Sequence, residues 1–334
     1  MRVINTEKFS AALRHRSVDL DARKVLLTDL RGSDQEADLT EQPNCEGLGR
    51  IRHFRRSTSP GWPANPLPIE PAAGALGLAA AEMMRAQAFQ LASCNWRCWY
   101  CYVPFDLLSA DPKRARWVTA GEMVDLYRAT DNPPRVLDLT GGQPELAPEW
   151  TLWTMEALVE RGLQDEVYLW SDDNLSNDYL WRYLNGGQLE TLRAYRNYGR
   201  VGCFKGYDRE SFAFNTGAAP ELFDQQFELM RRLVDLGLDV YAYATLPSPN
   251  PRTAADEVPR FVDRLQRVHE NLPLRTVPLE IRVFTPVAGR IGAPHDAAMS
   301  NQRAAIELWT REIEARFTSA QRAQPVHRVP LRGA

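Results

Sequence analysis

From residue 85 onward, short β-like runs alternate with longer amphipathic ones, and this alternation restricts the chain more than any other feature of its sequence. Strand then helix, repeated, is the signature of βα units around a parallel sheet. The runs 85–92, 135–140, 167–172, 200–205, 239–246 and 279–285 read as strands. Helices are expected near 119–130, 148–161, 176–185, 220–236, 254–271 and 302–317. The fourth of these has the clearest signals: Pro220 suits the first turn, Phe223, Phe227, Met230 and Val234 recur at helical spacing, and Gly237 suits the stop. Six such units in a row predict an α/β fold, a partial (β/α)6 TIM-like barrel spanning residues 85–317. A doubly wound sheet is the alternative, since strand order is not legible in one sequence. Residues 1–84 lack clear periodicity and form an N-terminal extension of unknown role. Its Pro-, Gly-, Arg- and Ser-rich stretch 45–71 reads as extended chain or loop. Residues 318–334 form a C-terminal tail.

Composition narrows the partners. A net charge of -3 argues against a nucleic-acid or membrane surface as the main partner. The N-terminus has no apolar run of the kind that marks a secretory signal, and no stretch approaches the ~18 apolar residues of a membrane span. Of the 5 cysteines, Cys94, Cys98 and Cys101 crowd together while Cys45 and Cys203 stand apart. That is a poor disulfide framework. It suits a reducing compartment and a metal site, so a cytoplasmic location is expected.

Strand alternation carries the reading toward function, because a barrel strand turns one face to its helices and the other to the lumen. In the fifth predicted strand Tyr241, Tyr243 and Thr245 point inward. In the sixth, Leu279, Ile281 and Val283 face helices and leave Glu280, Arg282 and Phe284 inside. Asp138, Thr140, Gln90, Asp172 and Lys205 complete a polar inner set. Such a lumen reads as a binding chamber, with Lys205, Tyr241, Tyr243, Glu280 and Arg282 as candidate catalytic or substrate-handling residues. The plain alternative is that charged pairs such as Glu280 and Arg282 satisfy one another structurally.

The loop after the first predicted strand reads Cys94-Asn95-Trp96-Arg97-Cys98-Trp99-Tyr100-Cys101. Three thiolates at this spacing can wrap one corner of a cubane cluster, each on a different iron, leaving the fourth iron exchangeable. A zinc site would want a fourth Cys or His, and His15 and His53 lie far upstream. The C-x3-C-x2-C spacing, with an aromatic directly before the third cysteine, resembles the radical S-adenosylmethionine (SAM) superfamily. The resemblance implies a [4Fe–4S] cluster on Cys94, Cys98 and Cys101, with SAM chelating the open iron. It further implies reductive cleavage to methionine and a 5′-deoxyadenosyl radical that abstracts a hydrogen atom from substrate. Tyr100 matches the aromatic position whose backbone contacts adenine in that family.

Three further segments support it. Thr140-Gly141-Gly142-Gln143-Pro144 looks like the family's glycine-glycine-glutamate-proline motif, which binds the SAM amino group largely through backbone, with Gln143 departing from the usual Glu. Trp170-Ser171-Asp172-Asp173-Asn174 stands where the family places small polar residues, which implies SAM contacts from Ser171, Asp172 and Asn174; one of these is also expected to cap the next helix. Phe204-Lys205-Gly206 resembles members near the glycyl-radical activases and wybutosine-type tRNA enzymes, and Lys205 could pair with the SAM carboxylate or an anionic substrate. Cys203 reads as a buried small hydrophobe. The expected function is hydrogen-atom abstraction from a polar small molecule or a peptide, served by a flavodoxin- or ferredoxin-type reductant. The alternatives are an activase that places a glycyl radical on a partner protein and a noncatalytic Fe–S or SAM-binding module.

Overall fold

The computed structural model describes residues 3–331. In chain order its helices and strands are α1 (Thr6–Ser17), β1 (Val18–Asp19), β2 (Lys24–Thr28), β3 (Gly49–Arg55), α2 (Ile69–Leu76), β4 (Met83–Phe89), β5 (Ala115–Thr119), α3 (Ala120–Arg128), β6 (Val136–Leu139) and α4 (Pro148–Glu160). There follow β7 (Tyr168–Asp173), α5 (Tyr179–Tyr183), α6 (Gly186–Ala194), β8 (Tyr198–Phe204), α7 (Arg209–Thr216), α8 (Leu222–Leu236), β9 (Val240–Thr245), α9 (Ala254–Val268), β10 (Thr276–Leu279), α10 (Thr285–Ala288), α11 (Ala293–Arg316) and α12 (Ser319–Arg322).

The main sheet has 7 strands in the order β10-β9-β8-β7-β6-β4-β3, a curled half-barrel. All its pairs are parallel except β3 with β4. The six parallel strands follow one another in chain order with no reversal, which removes the doubly wound alternative, where the order turns back at a switch point. The seventh strand comes from the extension. Its stretch Gly49-Arg50-Ile51-Arg52-His53-Phe54, read as extended chain or loop in the sequence, pairs antiparallel with β4 from Gly49↔Phe89 to Arg55↔Met83. A second, 3-stranded sheet, β1-β2-β5, joins the extension to the segment after the cysteine loop.

Packing explains which predicted helices form. Helix α8 buries Phe223, Phe227, Met230 and Leu233 on one stripe and stops where Gly237 adopts φ 80°. Its aromatics meet Phe204 of β8 and Phe261 of α9, and each such side chain buried contributes about 1.5–3 kcal/mol. Val240, Ala242 and Ala244 of β9 face this helical layer. Tyr241 and Tyr243 face the other way, as alternation predicts, into a separate cluster with Tyr168, Trp170, Val201, Val277 and Ile69 and Ala72 of α2. Helix α2 and Val326 of the tail pack there, so the lower lumen is a packed core and not open chamber.

The sixth predicted strand is displaced. The alternation at 279–284 looks like a strand, but β10 ends at Leu279, which pairs with Thr245, the last residue of β9. Beyond it the Ile281 backbone is bonded by a side chain: its N–H donates to Gln302 Oε1 at 3.0 Å and its carbonyl accepts from Gln302 Nε2 at 2.9 Å. Val277 and Leu279, not Glu280 and Arg282, therefore carry the inner face of β10. Leu279 was expected on the helical side.

Candidate functional site

Strand β4 ends in a loop that carries Cys94, Cys98 and Cys101 at the C-terminal mouth of the half-barrel. Backbone bonds fix its course: Cys94 N–H to Leu108 O at 3.2 Å, Trp99 N–H to Asn215 O at 3.2 Å, and Cys101 N–H to Cys98 O at 2.9 Å. Two guanidinium groups brace it. Arg97 donates to Cys94 O at 2.5 Å and Trp96 O at 2.9 Å. Arg290 reaches across from the α10–α11 connection to Cys101 O at 2.6 Å and Val103 O at 3.0 Å. Asn174, at the end of β7, points its amide at Cys94 Sγ, 3.9 Å away, and at Asn95 Oδ1, 3.1 Å away. All three cysteines are half-buried residues, and none is disulfide-bonded. Burial pushes each thiol up, that of Cys98 to about 12, so thiolate formation there calls for added positive charge. Among the described residues no three His, Cys, Asp or Glu side chains gather around a point that would hold a single metal ion. Ligands of a cubane cluster stand apart, one per iron, so the donor set and its open side fit that group.

The glycine turn lies directly against this loop. Gly141 and Gly142 have φ of 80° and 68°. A Cβ on Gly142 would come within 2.5 Å of Ser93 O and closer still to Leu91 O, so only glycine lets the two loops touch. Gln143 N–H donates to Ser93 O at 2.7 Å, and Pro144 opens the short turn that follows. The Gln143 side chain is fully engaged. Its Nε2 donates to Asp173 Oδ1 at 2.8 Å and its Oε1 accepts from Asn174 N–H at 2.9 Å. Asp173 also pairs with the buried Arg200 at 2.8 Å, which holds Glu145 on its other side. The departure from Glu at position 143 thus has a local cause: a carboxylate there would face that of Asp173.

The remaining sequence candidates divide. Tyr100 is buried beneath the loop with its hydroxyl 2.7 Å from Thr245 Oγ1. Lys205 lies within electrostatic reach of Tyr100, Cys98 and Cys101. Asp172 points into the lumen, where Thr140 Oγ1 donates to it. Ser171 points out instead, to Tyr198 OH at 2.8 Å on the helical side. Tyr241 lies deep, its hydroxyl donating to Asp239 at 2.7 Å, and Tyr243 OH meets Leu67 O at 3.3 Å. Glu280 and Arg282 bond one another at 2.7 Å beyond the end of β10, the structural pairing weighed in the sequence. The structure adds inner-face residues that the sequence reading passed over, Arg50 and Arg52 of β3. The alternation in Arg50-Ile51-Arg52-His53-Phe54 was the available signal.

A half-barrel with a three-cysteine loop and a glycine turn docked on it at the mouth defines a class of cofactor-binding α/β proteins. The family model described as the radical SAM superfamily matches residues 91–258, half of the chain. The chain belongs to the radical SAM superfamily, whose members use a [4Fe–4S] cluster and SAM. Similar solved structures include Streptococcus suis SuiB bound to S-adenosylmethionine, at 16% identity over 53% of this chain and 36% of that one, with a TM-score of 0.39. Another is anSMEcpe with bound AdoMet, at 12% identity over 56% of this chain and 47% of that one, with a TM-score of 0.39. The matched region thus spans less than half of either of these chains, and the family model carries the assignment. No curated protein matches the chain. Among the described residues no helix is long and apolar enough to cross a membrane.

Proposed function

We propose that this chain cleaves SAM reductively and abstracts a hydrogen atom from a polar small-molecule or peptide substrate. Cys94, Cys98 and Cys101 hold the cluster, and the backbone of Gly141 and Gly142 receives the amino group of SAM. Bound together, cluster and SAM supply the 5′-deoxyadenosyl radical. The protein's own part is positional. Arg97, Arg290 and Asn174 hold the cysteine loop and Gln143 ties the glycine turn to the end of β7, and Lys205, beside Cys98 and Cys101, offers a cation for the SAM carboxylate. A low-potential electron is required, which assigns a flavodoxin- or ferredoxin-type partner and suits a cytoplasmic location.

The observation that carries this reading is the contact between the two loops, where Gly142 lies so close to Leu91 O and Ser93 O that any side chain is excluded. A noncatalytic module has no need to keep that contact beside three free thiols. The test is Cys98→Ala. It is expected to abolish 5′-deoxyadenosine formation while the protein stays folded by circular dichroism. Undiminished formation would overturn the assignment.

A further inference from the structure

The register of three neighbouring strands sets Arg50 of β3, Ala88 of β4 and Asp138 of β6 side by side on the inner face, above the packed lower lumen. Arg14, Arg50, Arg200 and Arg275 are the buried arginines among the described residues. Arg14 pairs with Glu149, Arg200 with Glu145 and Asp173, and Arg275 with Asp239. Arg50 pairs with no carboxylate. One of its nitrogens donates to Tyr102 OH at 2.7 Å, its guanidinium lies 5.1 Å from the centre of that ring, and its Nε has no partner. A guanidinium taken out of water without a counter-ion is costly, and an anionic ligand removes that cost.

The opposite half of the same wall has the reverse imbalance. Asp138 and Asp172 share a single cation, Arg52, at 3.1 Å and 3.7 Å. Each carboxylate keeps one buried oxygen without a partner, and the Asp138 side chain is 0% exposed. Two carboxyl groups against one close guanidinium are short of positive charge, so burial and Asp172 hold the Asp138 proton up toward neutrality, and beside them stands Arg50, whose guanidinium has no carboxylate within ion-pair distance. The wall is therefore dipolar. Its outer edge is partly open, Arg52 and Asp172 retaining 25% and 22% side-chain exposure, while the two partnerless oxygens lie buried behind that edge.

The seam between the edge strands bears on ligand size. Trp62 Nε1 donates to Pro278 O at 3.0 Å, Arg282 donates to Thr58 O at 2.8 Å and Ser59 Oγ at 2.7 Å, and Asp38 accepts from Thr285 N–H at 2.8 Å. These bonds stitch the extension to β10 and the segment after it and bridge the side on which a half-barrel would lie open to a polypeptide.

We propose that the substrate is a small zwitterion of the α-amino-acid class, its carboxylate held by Arg50 and its ammonium by the free oxygens of Asp138 and Asp172. This deepens the radical SAM reading above and rests on it. The test uses cluster-loaded protein saturated with SAM, so that the methionyl end of SAM already occupies its own place. Calorimetric titration compares the proteinogenic α-amino acids with their carboxamides, their decarboxylated amines and short peptides bearing a free C-terminus. At least one free amino acid is expected to bind, with its carboxamide and amine weaker by about tenfold or more. Arg50→Gln is expected to weaken that binding comparably, Arg50→Lys to recover part of it, and Asp138→Asn to weaken it as well. The panel on the unmutated protein stands even if a variant fails to fold. Absence of any amino-acid binding, equal binding of acid and carboxamide, binding of peptides alone, or binding seen only without SAM would each overturn the assignment. 5′-Deoxyadenosine formation is scored separately. Cleavage without amino-acid binding overturns this inference alone, whereas amino-acid binding without cleavage overturns the parent reading and leaves the anchor standing.

Discussion

Gln143 shows how much one atom decides at this site. Its amide nitrogen donates to Asp173 and its amide oxygen accepts from Asn174, so the side chain needs one donor and one acceptor. Gln143→Glu keeps the acceptor and sets a second carboxylate against Asp173. The introduced acid should hold its proton more tightly folded than unfolded, so the variant's stability falls as pH rises. The expected result is a melting-temperature deficit larger at pH 8 than at pH 5; a deficit independent of pH would contradict it. Asp138 gives a second test. Burial, followed by the neighbouring Asp172, pushes its carboxyl up to about 7 against the pull of Arg52. Unfolded, such a group titrates near ~4. The folded chain therefore binds the extra proton between those values, and stability falls as pH rises through that window. Asp138→Asn lacks this loss, so its melting temperature should gain on the parent between pH 4.5 and pH 8, and a constant difference would refute the assignment. The motif residues were visible in the sequence through their resemblance to the family's motifs. What Gln143 does was not, because its partners lie 30 residues away on another strand.

At the scale of elements, the extension is built into the half-barrel. Helix α1 is fastened to α4 by Arg14, which donates to Glu149 Oε2 and Oε1 at 2.9 Å and 2.6 Å and to Leu146 O at 2.9 Å. Both side chains are 8% exposed. Removing one partner of such a pair strands the other charge and costs about 3–5 kcal/mol. Glu149→Ala should therefore lower the unfolding free energy by that amount in urea titration. Arg14→Met combined with Glu149→Leu should recover most of it, and an additive loss in the double variant would contradict the account. The parallel strands were legible because buried βα units write apolar runs into the sequence. Strand β3 was read only as extended chain or loop, without a place in the sheet, because its alternating arginines look solvated until the inner face supplies Tyr102, Asp138 and Asp172 to meet them. The sixth strand was placed a few residues late because alternation says nothing of whether a neighbouring strand extends far enough to pair.

For the whole molecule, the half-barrel brings to one mouth three segments that lie far apart in the chain: the cysteine loop, the glycine turn and the end of β7. The extension and the tail fill its base, and the polar wall of Arg50, Arg52, Asp138 and Asp172 lies between. The order of that assembly follows from βα repetition, and so the meeting of these three segments at one mouth could be read in advance. The polar wall depends on a strand contributed out of order and on side chains that meet only once the sheet has curled. The central claim, that SAM binds at the open side of a cluster held by Cys94, Cys98 and Cys101, is tested most directly by electron paramagnetic resonance of the anaerobically reconstituted, reduced protein with and without SAM. The account predicts a [4Fe–4S] signal whose shape changes when SAM is added. A cluster signal indifferent to SAM would contradict it.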